Sequence, residues 1–538
     1  MVMKKILGIC ITFCFCTCVQ LNAQIDSLDI SMFRLRSLAW KHFVNAPANN
    51  QLLPIADFTE TGLYGQLKEQ PLSKKQTPNN VQSYGFRSRG IFTLQNKAKL
   101  FGHLDFSRSY TKESSYQLMP NLSEEFSDEL VTSPHYPLAI RAGNTENQHY
   151  RLMGGYSGVI KKSFPFSITI HYNLEKFFGL TIPKTEQEVI DYSGKFELGY
   201  QFKKHHIFGI AEFGKHQTNF SYHSDTIDGI RIDSVTETDY YAGYSVGYGD
   251  ILGFNASLLD GITQKDKFVF GGGYSYTSGA NFFTLIYTYK DQKESYFSTP
   301  FIDNANLAAV FNTEESALAI SYIKQSKSQY LISDTKLIFG EGTNAHTFDD
   351  YIENDPQRTV KTNYKQEVIH VESTIQWGKL RDHRTQIGAQ LETHIRQTRT
   401  QDINTTDKEV TYWQTKFSIN KDLKITPKSF INLETGINYY LPITTSLIYD
   451  ATNSSTSTGA SVIPPRSTFG ADVIAFDDTY DSLHKIGPVL GINYQIRMKK
   501  KEIATIAAFY SHLIGMGHHI DTITGTNNTF SIHLNLAY

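Results

Sequence analysis

Apolar residues occupy every second position over the last nine residues of the chain. They are Phe530, Ile532, Leu534, Leu536 and Tyr538, and the residues between them are polar or small. Because side chains of a strand point alternately to its two faces, this segment predicts a strand with one apolar and one polar face. Two folds can contain such a strand. It can form the edge of a soluble β-sandwich, or it can belong to a β-barrel whose apolar face contacts lipid.

The same alternation recurs along the chain, and short polar turns separate its segments. Clear examples are residues 166–174, 196–202, 268–276 and 283–289. The predicted turns lie at 95–97, 161–163, 203–205, 249–250, 278–280, 327–328, 379–382, 420–422 and 499–501. Within these hairpins, no stretch keeps a period of 3.6 residues long enough to predict a helix. The sequence therefore predicts an all-β fold.

Longer polar connections alternate with the short turns. They span roughly 68–80, 111–147, 177–192, 220–238, 292–316, 340–363, 442–482 and 514–525. Short turns on one rim and long loops on the other are typical of a transmembrane barrel. A soluble all-β protein has no reason to alternate short and long connections so regularly. We therefore predict a large transmembrane antiparallel β-barrel of about 16–20 strands over residues 55–538. Its last strand should pair with the first one, near Ile55 to Leu67.

Composition agrees with this prediction without deciding it. The 538 residues include 13% aromatic residues, yet the mean hydropathy is −0.33. A barrel with one lipid-facing side and aromatic girdles produces that combination, although a secreted sandwich or propeller can also be rich in tyrosine. The net charge is −2. Without a basic excess, the sequence indicates no nucleic-acid partner.

The first 23 residues have the three parts of a secretory signal peptide. Lys4 and Lys5 precede an apolar stretch from Ile6 to Val19, and Ala23 is a small residue at the expected cleavage point. All four cysteines lie in this segment, which excludes disulfides and thiolate metal sites in the processed chain. A lipid anchor on one of these cysteines is a weaker alternative. The sequence thus predicts export and, with the barrel, the outer membrane of a Gram-negative bacterium.

Residues 24–54 differ from the barrel that follows. Residues 31–44 can form a short helix with an imperfect apolar stripe, and the Asn- and Pro-containing stretch 45–50 ends it. This segment is either a lead-in without a role or a plug that enters the lumen. A plug would imply gated or specific traffic rather than an open pore.

Several segments resemble one family. They are Trp40, Asn45-Ala46, 58–64, 98–106, 127–131, 134–137, Ala142-Gly143, Tyr150 and 154–157. In this order they resemble an uncharacterised Bacteroidota outer-membrane β-barrel family, a domain of unknown function. The resemblance implies an outer-membrane location and no assigned chemistry. It also implies an association with TonB-dependent transport systems.

No catalytic or cofactor motif stands out. His171 shares a strand face with Thr169 and Asn173, but a polar lumen lining produces the same pattern. There is no Gly-x-Ser-x-Gly, His-Glu-x-x-His or phosphate-binding motif, so we expect neither an enzyme nor a cofactor. No metal site is predicted. The weaker metal candidates are His512, His518, His519 and Asp521, in what should be the last external loop.

The sequence predicts the function of this protein only as a general class. The first possibility is a porin-like solute channel or an accessory component of a nutrient-uptake system, with selectivity set by lumen charges. Those charges include Lys195, Glu197, Glu212 and Glu372. The alternative is a non-conducting structural, assembly or surface-binding barrel that docks other outer-membrane proteins.

The expected partners follow from the predicted outer-membrane barrel. We expect outer-membrane lipid, a TonB-dependent transporter or a surface lipoprotein, and the barrel-assembly machinery. The 530–538 strand resembles the C-terminal assembly signal that this machinery recognises in Gram-negative barrels.

Overall fold

The computed structural model describes most of the chain after the predicted signal peptide. It describes residues 40–537 except 42, 52–56, 96, 117–129, 140–141, 182–183, 224–241, 246, 249–250, 254–260, 280, 299–305, 327, 353–354, 382–383, 403–405, 450–468, 499–501 and 517–524. The predicted signal peptide, the cysteines, the 31–39 part of the predicted helix and Tyr538 lie outside the described residues.

The described residues form 21 strands. They are β1 (Phe58–Glu69), β2 (Asn80–Thr93), β3 (Lys99–Ser114), β4 (Tyr136–Ala139), β5 (Gly143–Ile160), β6 (Phe164–Gly179), β7 (Lys184–Phe202), β8 (His205–His223), β9 (Ala242–Ser245), β10 (Ile251–Gly253), β11 (Gly261–Ser278), β12 (Asn281–Ser298), β13 (Asn306–Gln325), β14 (Gln329–Ile352), β15 (Asp355–Arg381), β16 (Arg384–Asp402), β17 (Asp407–Thr426), β18 (Ser429–Ile448), β19 (His484–Arg497), β20 (Ile503–Met516) and β21 (Thr526–Ala537).

Eighteen of these strands form one closed antiparallel barrel. Each barrel strand pairs with its neighbours in chain order, and β21 closes the ring on β1, from Ala537 opposite Glu60 to Asn528 opposite Glu69. The predicted fold class, the strand number and the pairing of the last strand with the first are confirmed. β4, β9 and β10 form a separate three-stranded sheet.

The two faces of the barrel wall invert the usual distribution of residues. Leu63 and Ile170 point outward and are 56% and 63% exposed, whereas the carboxylates of Asp105 and Glu197 point inward and are fully buried. A soluble protein buries apolar side chains and exposes charged ones. Apolar residues outside and charged residues inside are the pattern of a barrel whose outer face contacts lipid.

One end of the barrel carries the tight turns and is called the short-turn end here. In the β5–β6 turn, residues 161–163 connect Ile160 to its partner Phe164, and Lys161 and Lys162 have φ angles of 49° and 64°. Outward-facing Phe164, Tyr200 and Phe202 lie near this end and contact one another, with ring centroids 5.4 Å and 6.2 Å apart. They have the position expected of an aromatic girdle.

One predicted turn is wrong. Residues 420–422 lie within β17, and the chain reverses at Pro427-Lys428. The polar triplet looked like a turn, but outward-facing Leu423 and Ile425 continue the alternation beyond it. The predicted turn at 249–250 lies outside the described residues. It falls between β9 and β10, which pair antiparallel but belong to the three-stranded sheet and add no strands to the barrel.

Several predicted long connections at the opposite, long-loop end are also shorter than expected. β14 continues to Ile352 and β15 begins at Asp355, so the 340–363 segment is almost wholly strand. β7 likewise begins at Lys184, within the predicted 177–192 loop. The sequence of these ends lacks the regular alternation that marks lipid-facing strands, which is why it suggested loops.

Helical structure is confined to short segments. A 3₁₀ helix spans Pro47–Gln51, a π-helical turn spans Gly470–Ala475, and helix α1 spans Phe476–Asp481. Trp40, Lys41 and residues 43–45 are also helical. None of the helices in the described parts is long and apolar enough to cross a membrane.

Candidate functional site in the barrel lumen

The short-turn end of the lumen holds residues 40–51, called the N-terminal plug here. Trp40 and Phe43 are buried against inward-facing wall residues. The Phe43 ring meets Phe101 at 4.9 Å, and the Trp40 ring meets Phe58 at 6.3 Å, both edge to face. These rings supply apolar burial inside an otherwise polar lumen. The segment thus lies inside the barrel, while the predicted boundaries 24–54 stay a prediction.

Polar contacts fix the rest of the plug to β5 and β7. The backbone N–H of Ala48 donates to the Glu197 carboxylate over 2.9 Å, and the Ser157 hydroxyl donates to the Pro47 carbonyl over 2.8 Å. Lys195 donates to the Asn45 carbonyl over 2.9 Å and pairs with Glu197 at 2.7 Å. The buried Glu197 carboxylate is therefore the main polar anchor of the plug, because it accepts a hydrogen bond from the plug backbone and pairs with Lys195 at the same time.

The four lumen charges predicted from the sequence all face inward, but three of them hold the plug. Lys195 and Glu197 bind its backbone, and Glu372 lies 3.8 Å from the Lys41 ammonium. Glu212 instead pairs with Lys267 in the wall at 2.8 Å. The predicted role of these four charges in solute selectivity therefore stays a prediction. What the structure shows is that three of the four contact the plug.

Chain connections occupy the long-loop end of the lumen. Tyr244 of β9 stacks against two inward-facing wall rings, 4.2 Å from Tyr296 and 4.9 Å from Phe220. His135, just before β4, donates a 2.8 Å hydrogen bond from Nδ1 to the Glu294 carboxylate, which also pairs with Lys265 at 3.3 Å. The sheet of β4, β9 and β10, called the lumenal sheet here, is thereby fixed to the wall.

Glycines of β14 make room for this packing. A Cβ on Gly342 of β14 would lie 2.5 Å from the Val131 side chain and 2.6 Å from the Phe311 ring. Contacts this short do not occur, so a side chain at 342 would push the connection before the lumenal sheet off the wall.

A buried ion cluster fixes α1 at the same end. The Asp481 carboxylate lies 2.9 Å from Lys74 of the β1–β2 connection and 3.0 Å from Lys408 of β17. Burial alone would raise the pKa of Asp481, but the two ammonium groups outweigh it and hold that pKa below its ordinary value. The carboxylate is therefore charged at neutral pH and joins three chain segments.

Asp481→Asn should loosen this end of the barrel. Removing one partner of a buried pair typically costs about 3–5 kcal/mol, because Lys408 would be left without a carboxylate. We expect a lower unfolding temperature in a heat-modifiability assay and faster proteolysis of the 70–79 connection. Because the pKa of Asp481 is lowered, its stabilisation is complete above the ordinary pKa of about 3.9 and is lost as the pH falls through the folded value.

The matched control for this change is Asp478→Asn. Asp478 lies on the same helix but makes no ion pair among the described residues. We expect the control to keep the acid-dependent loss of stability and the Asp481 variant to lack it. Equal behaviour of the two variants would contradict the anchoring role of Asp481.

A cavity of about 650 Å³ lies in the lumen, bounded on one side by the plug. Trp40 and Lys41 of the plug line it together with inward-facing residues of β2 and β15–β21. Its lining is rich in side-chain amides: Gln376, Gln390, Asn432, Asn438 and Asn493. Charged groups are fewer, and Arg89 is neutralised by Glu60 at 2.9 Å. The cavity is the candidate functional site.

The residues considered for chemistry from the sequence are not brought together. His512 lies in β20 rather than in a loop, and it hydrogen-bonds Asn528 over 2.7 Å. His518, His519 and Asp521 lie outside the described residues. Thr169, His171 and Asn173 share the inner face of β6, and Asn173 donates to Asp191 over 3.3 Å, as a wall residue would.

One group missed in the sequence could hold a metal ion. Among the described residues, His370 and Glu372 of β15 and His394 of β16 offer ligand atoms that lie within 4.8 Å of one another. The His-x-Glu spacing on one strand face was visible in the sequence. The register that places His394 opposite Glu372 was not.

The barrel and its lumen define a class: an outer-membrane-type β-barrel whose lumen is occupied from both ends. Residues 47–538 match the Family of unknown function (DUF6850), and the chain belongs to that family. The expectation of a barrel family without assigned chemistry is thereby confirmed. No curated protein matches the sequence.

Solved structures of similar fold include three receptors. The ferric preacinetobactin receptor BauA from Acinetobacter baumannii has a TM-score of 0.40 and 10% identity, covering 90% of this chain and 80% of its own. The siderophore receptor PiuA from Acinetobacter baumannii has a TM-score of 0.38 and 9% identity, with coverage of 90% and 82%. The ferric-catecholate import receptor Fiu from Escherichia coli K12 has values of 0.38 and 8%, with 90% and 81%. Likenesses this distant carry no functional conclusion.

Proposed function

We propose that this protein is an outer-membrane channel that binds a small, uncharged, hydroxyl-rich solute in its lumen. The amide-lined cavity beside the N-terminal plug carries this proposal. Its volume of about 650 Å³ falls within the range of ordinary small-molecule sites. The lipid-type outer face and the predicted signal peptide support the outer-membrane location, with the long-loop end outside the cell.

The chemistry of the lining favours polyhydroxylated solutes such as small sugars. Side-chain amides both donate and accept hydrogen bonds, which suits hydroxyl groups that do the same. The Asn493 Oδ1 atom is buried and has no hydrogen-bond partner in the described part of the chain, although Asn493 borders the cavity. A solute hydroxyl would satisfy it, while the Trp40 and Phe509 rings offer flat apolar surfaces to the faces of a sugar ring.

The N-terminal plug gives the channel a gate. It closes the short-turn end, and its Lys41 and Trp40 also line the cavity, so a bound solute would touch the gate directly. In an outer-membrane setting this gate would open toward the periplasm. A TonB-dependent transporter or a surface lipoprotein is the proposed neighbour in the uptake system, and cross-linking in native membranes would identify it.

Trp40 fluorescence tests solute binding. The chain has three tryptophans, and Trp377 and Trp413 face outward. In a Trp377→Phe/Trp413→Phe background, only Trp40 emission remains. We expect neutral mono- to trisaccharides to change it saturably. Asn493→Leu should weaken that binding about tenfold, the usual effect of losing one or two hydrogen bonds.

Ile492→Val is the matched control, because Ile492 adjoins Asn493 on the same strand but faces outward. It should leave binding unchanged. If no saccharide alters Trp40 emission in a folded barrel, or if both variants bind equally, the proposed solute class is wrong.

A non-conducting barrel is the second candidate function, and the lumenal sheet favours it. The ring stack at Tyr244 closes part of the long-loop end with well-packed apolar contacts. A barrel closed this way could serve as a structural or docking component for other outer-membrane proteins. Absence of current even without the plug would support this alternative.

A further inference from the structure

We propose that His370, Glu372 and His394 form a binding site for a divalent transition-metal ion on the lumen wall. His370 and Glu372 lie two residues apart on β15, so both point into the lumen. His394 lies directly opposite Glu372 on β16. The register therefore places two imidazoles and one carboxylate at the same height, with ligand atoms within 4.8 Å of one another.

An unsatisfied nitrogen points to a missing partner. His370 is only 9% exposed, and its Nδ1 atom has no hydrogen-bond partner among the residues that the structure describes. A buried polar atom of this kind is rare in folded proteins and asks for an explanation. The His394 ring lies nearby, with centroids 5.8 Å apart, and small side-chain rotations would bring the three groups onto one ion.

The ligand set selects the kind of metal. Two imidazoles and a carboxylate suit Zn²⁺, Cu²⁺ or Ni²⁺, whereas Ca²⁺ and Mg²⁺ prefer oxygen ligands. Lys336 faces Glu372 from β14, and Arg396 faces His370 from β16. The positive charges of these two side chains repel a metal ion. Only a metal that bonds strongly to imidazole would therefore stay bound at the site.

The same carboxylate also connects the site to the plug. The Lys41 ammonium lies 3.8 Å from the Glu372 carboxylate, and both side chains are partly exposed to the lumen. A metal ion and Lys41 therefore compete for Glu372. Metal binding should weaken this contact of the plug, whatever the solute is.

Zn²⁺ titration by isothermal calorimetry tests the site directly. The barrel is prepared without a histidine tag, and heat-modifiability confirms that each variant is folded. We expect one saturable Zn²⁺ site in the unmodified protein. Losing a ligand in His370→Ala or His394→Ala should weaken binding by about 100-fold or more, since even outer-shell changes typically cost about 10–100-fold.

Further variants separate the site from general zinc binding. His512→Ala removes a histidine on β20 that lies on the outward face, with Ile506 and Ile514, and should leave the affinity unchanged. Lys41→Met should bind Zn²⁺ more tightly, because the competitor for Glu372 is gone. If an alanine variant does not fold, Glu372→Gln, which keeps the side-chain size, should show the loss instead.

Spectroscopy identifies the ligands. Cu²⁺ bound to the unmodified protein should show electron paramagnetic resonance couplings to two imidazole nitrogens, and the His394→Ala protein should show at most one. The absence of Zn²⁺ binding, or equal affinity in the His370, His394 and His512 variants, would overturn the proposal. Neither result depends on whether the barrel transports a solute.

Discussion

Deletion of residues 40–51 should turn a closed barrel into a conducting one. The plug fills the short-turn end of the lumen, and barrels of 16–18 strands leave a water-filled channel when nothing occupies them. In planar bilayers we expect stepwise currents at least about tenfold above those of the unmodified protein. The wall should survive, because strand pairing from β1 to β21 does not include these residues.

Two point variants make this test sharper. Glu197→Ala removes the carboxylate that binds the Ala48 N–H, whereas Glu212→Ala removes an inward carboxylate that pairs only with the wall. We expect brief channel openings for the first variant and none for the second. A barrel that stays silent without its plug would show that the lumenal sheet closes it, in favour of the non-conducting alternative.

Deletion of residues 530–538 should abolish barrel closure. Within β21, this stretch pairs with β20 on one side and β1 on the other, so its loss exposes two strand edges. Unpaired edges are not tolerated in a membrane, because their backbone groups find no water. We expect exported protein that is soluble or aggregated, protease-sensitive and not heat-modifiable, measured by cell fractionation and gel mobility.

A single charge on the same strand probes the lipid-facing side alone. Leu534 faces outward, whereas Thr529 borders the lumen cavity. Leu534→Lys should destabilise the barrel by about 2–4 kcal/mol if it lies near the bilayer centre, and Thr529→Lys by much less. Normal, heat-modifiable barrel after the 530–538 deletion would be incompatible with closure through β21.

Much of the barrel follows from local sequence. Outward-facing Phe530, Ile532 and Leu534 lie where the alternation placed them, because the period of a strand fixes the face of each residue. Near Ile352 and Asp355, by contrast, the sequence shows no regular alternation of apolar and polar residues. Strand extent was therefore misjudged at the long-loop end.

The lumen contents were far less predictable. Tyr136–Ala139 and Ala242–Ser245 pair with each other across more than a hundred residues, and neither segment is long enough to show a period. The three charges at 195, 197 and 372 were identified as lumen residues. Their role as contacts of the N-terminal plug required the tertiary structure, because the plug contacts strands distant in sequence.

The sequence by itself determined the fold class, the faces of most wall residues and the pairing of the last strand with the first. Local alternation and the phase of the turns carry that information. Only the tertiary structure decided what fills the lumen and which side chains meet there. His370 and His394 become neighbours only through strand register, and register depends on the closure of the whole ring.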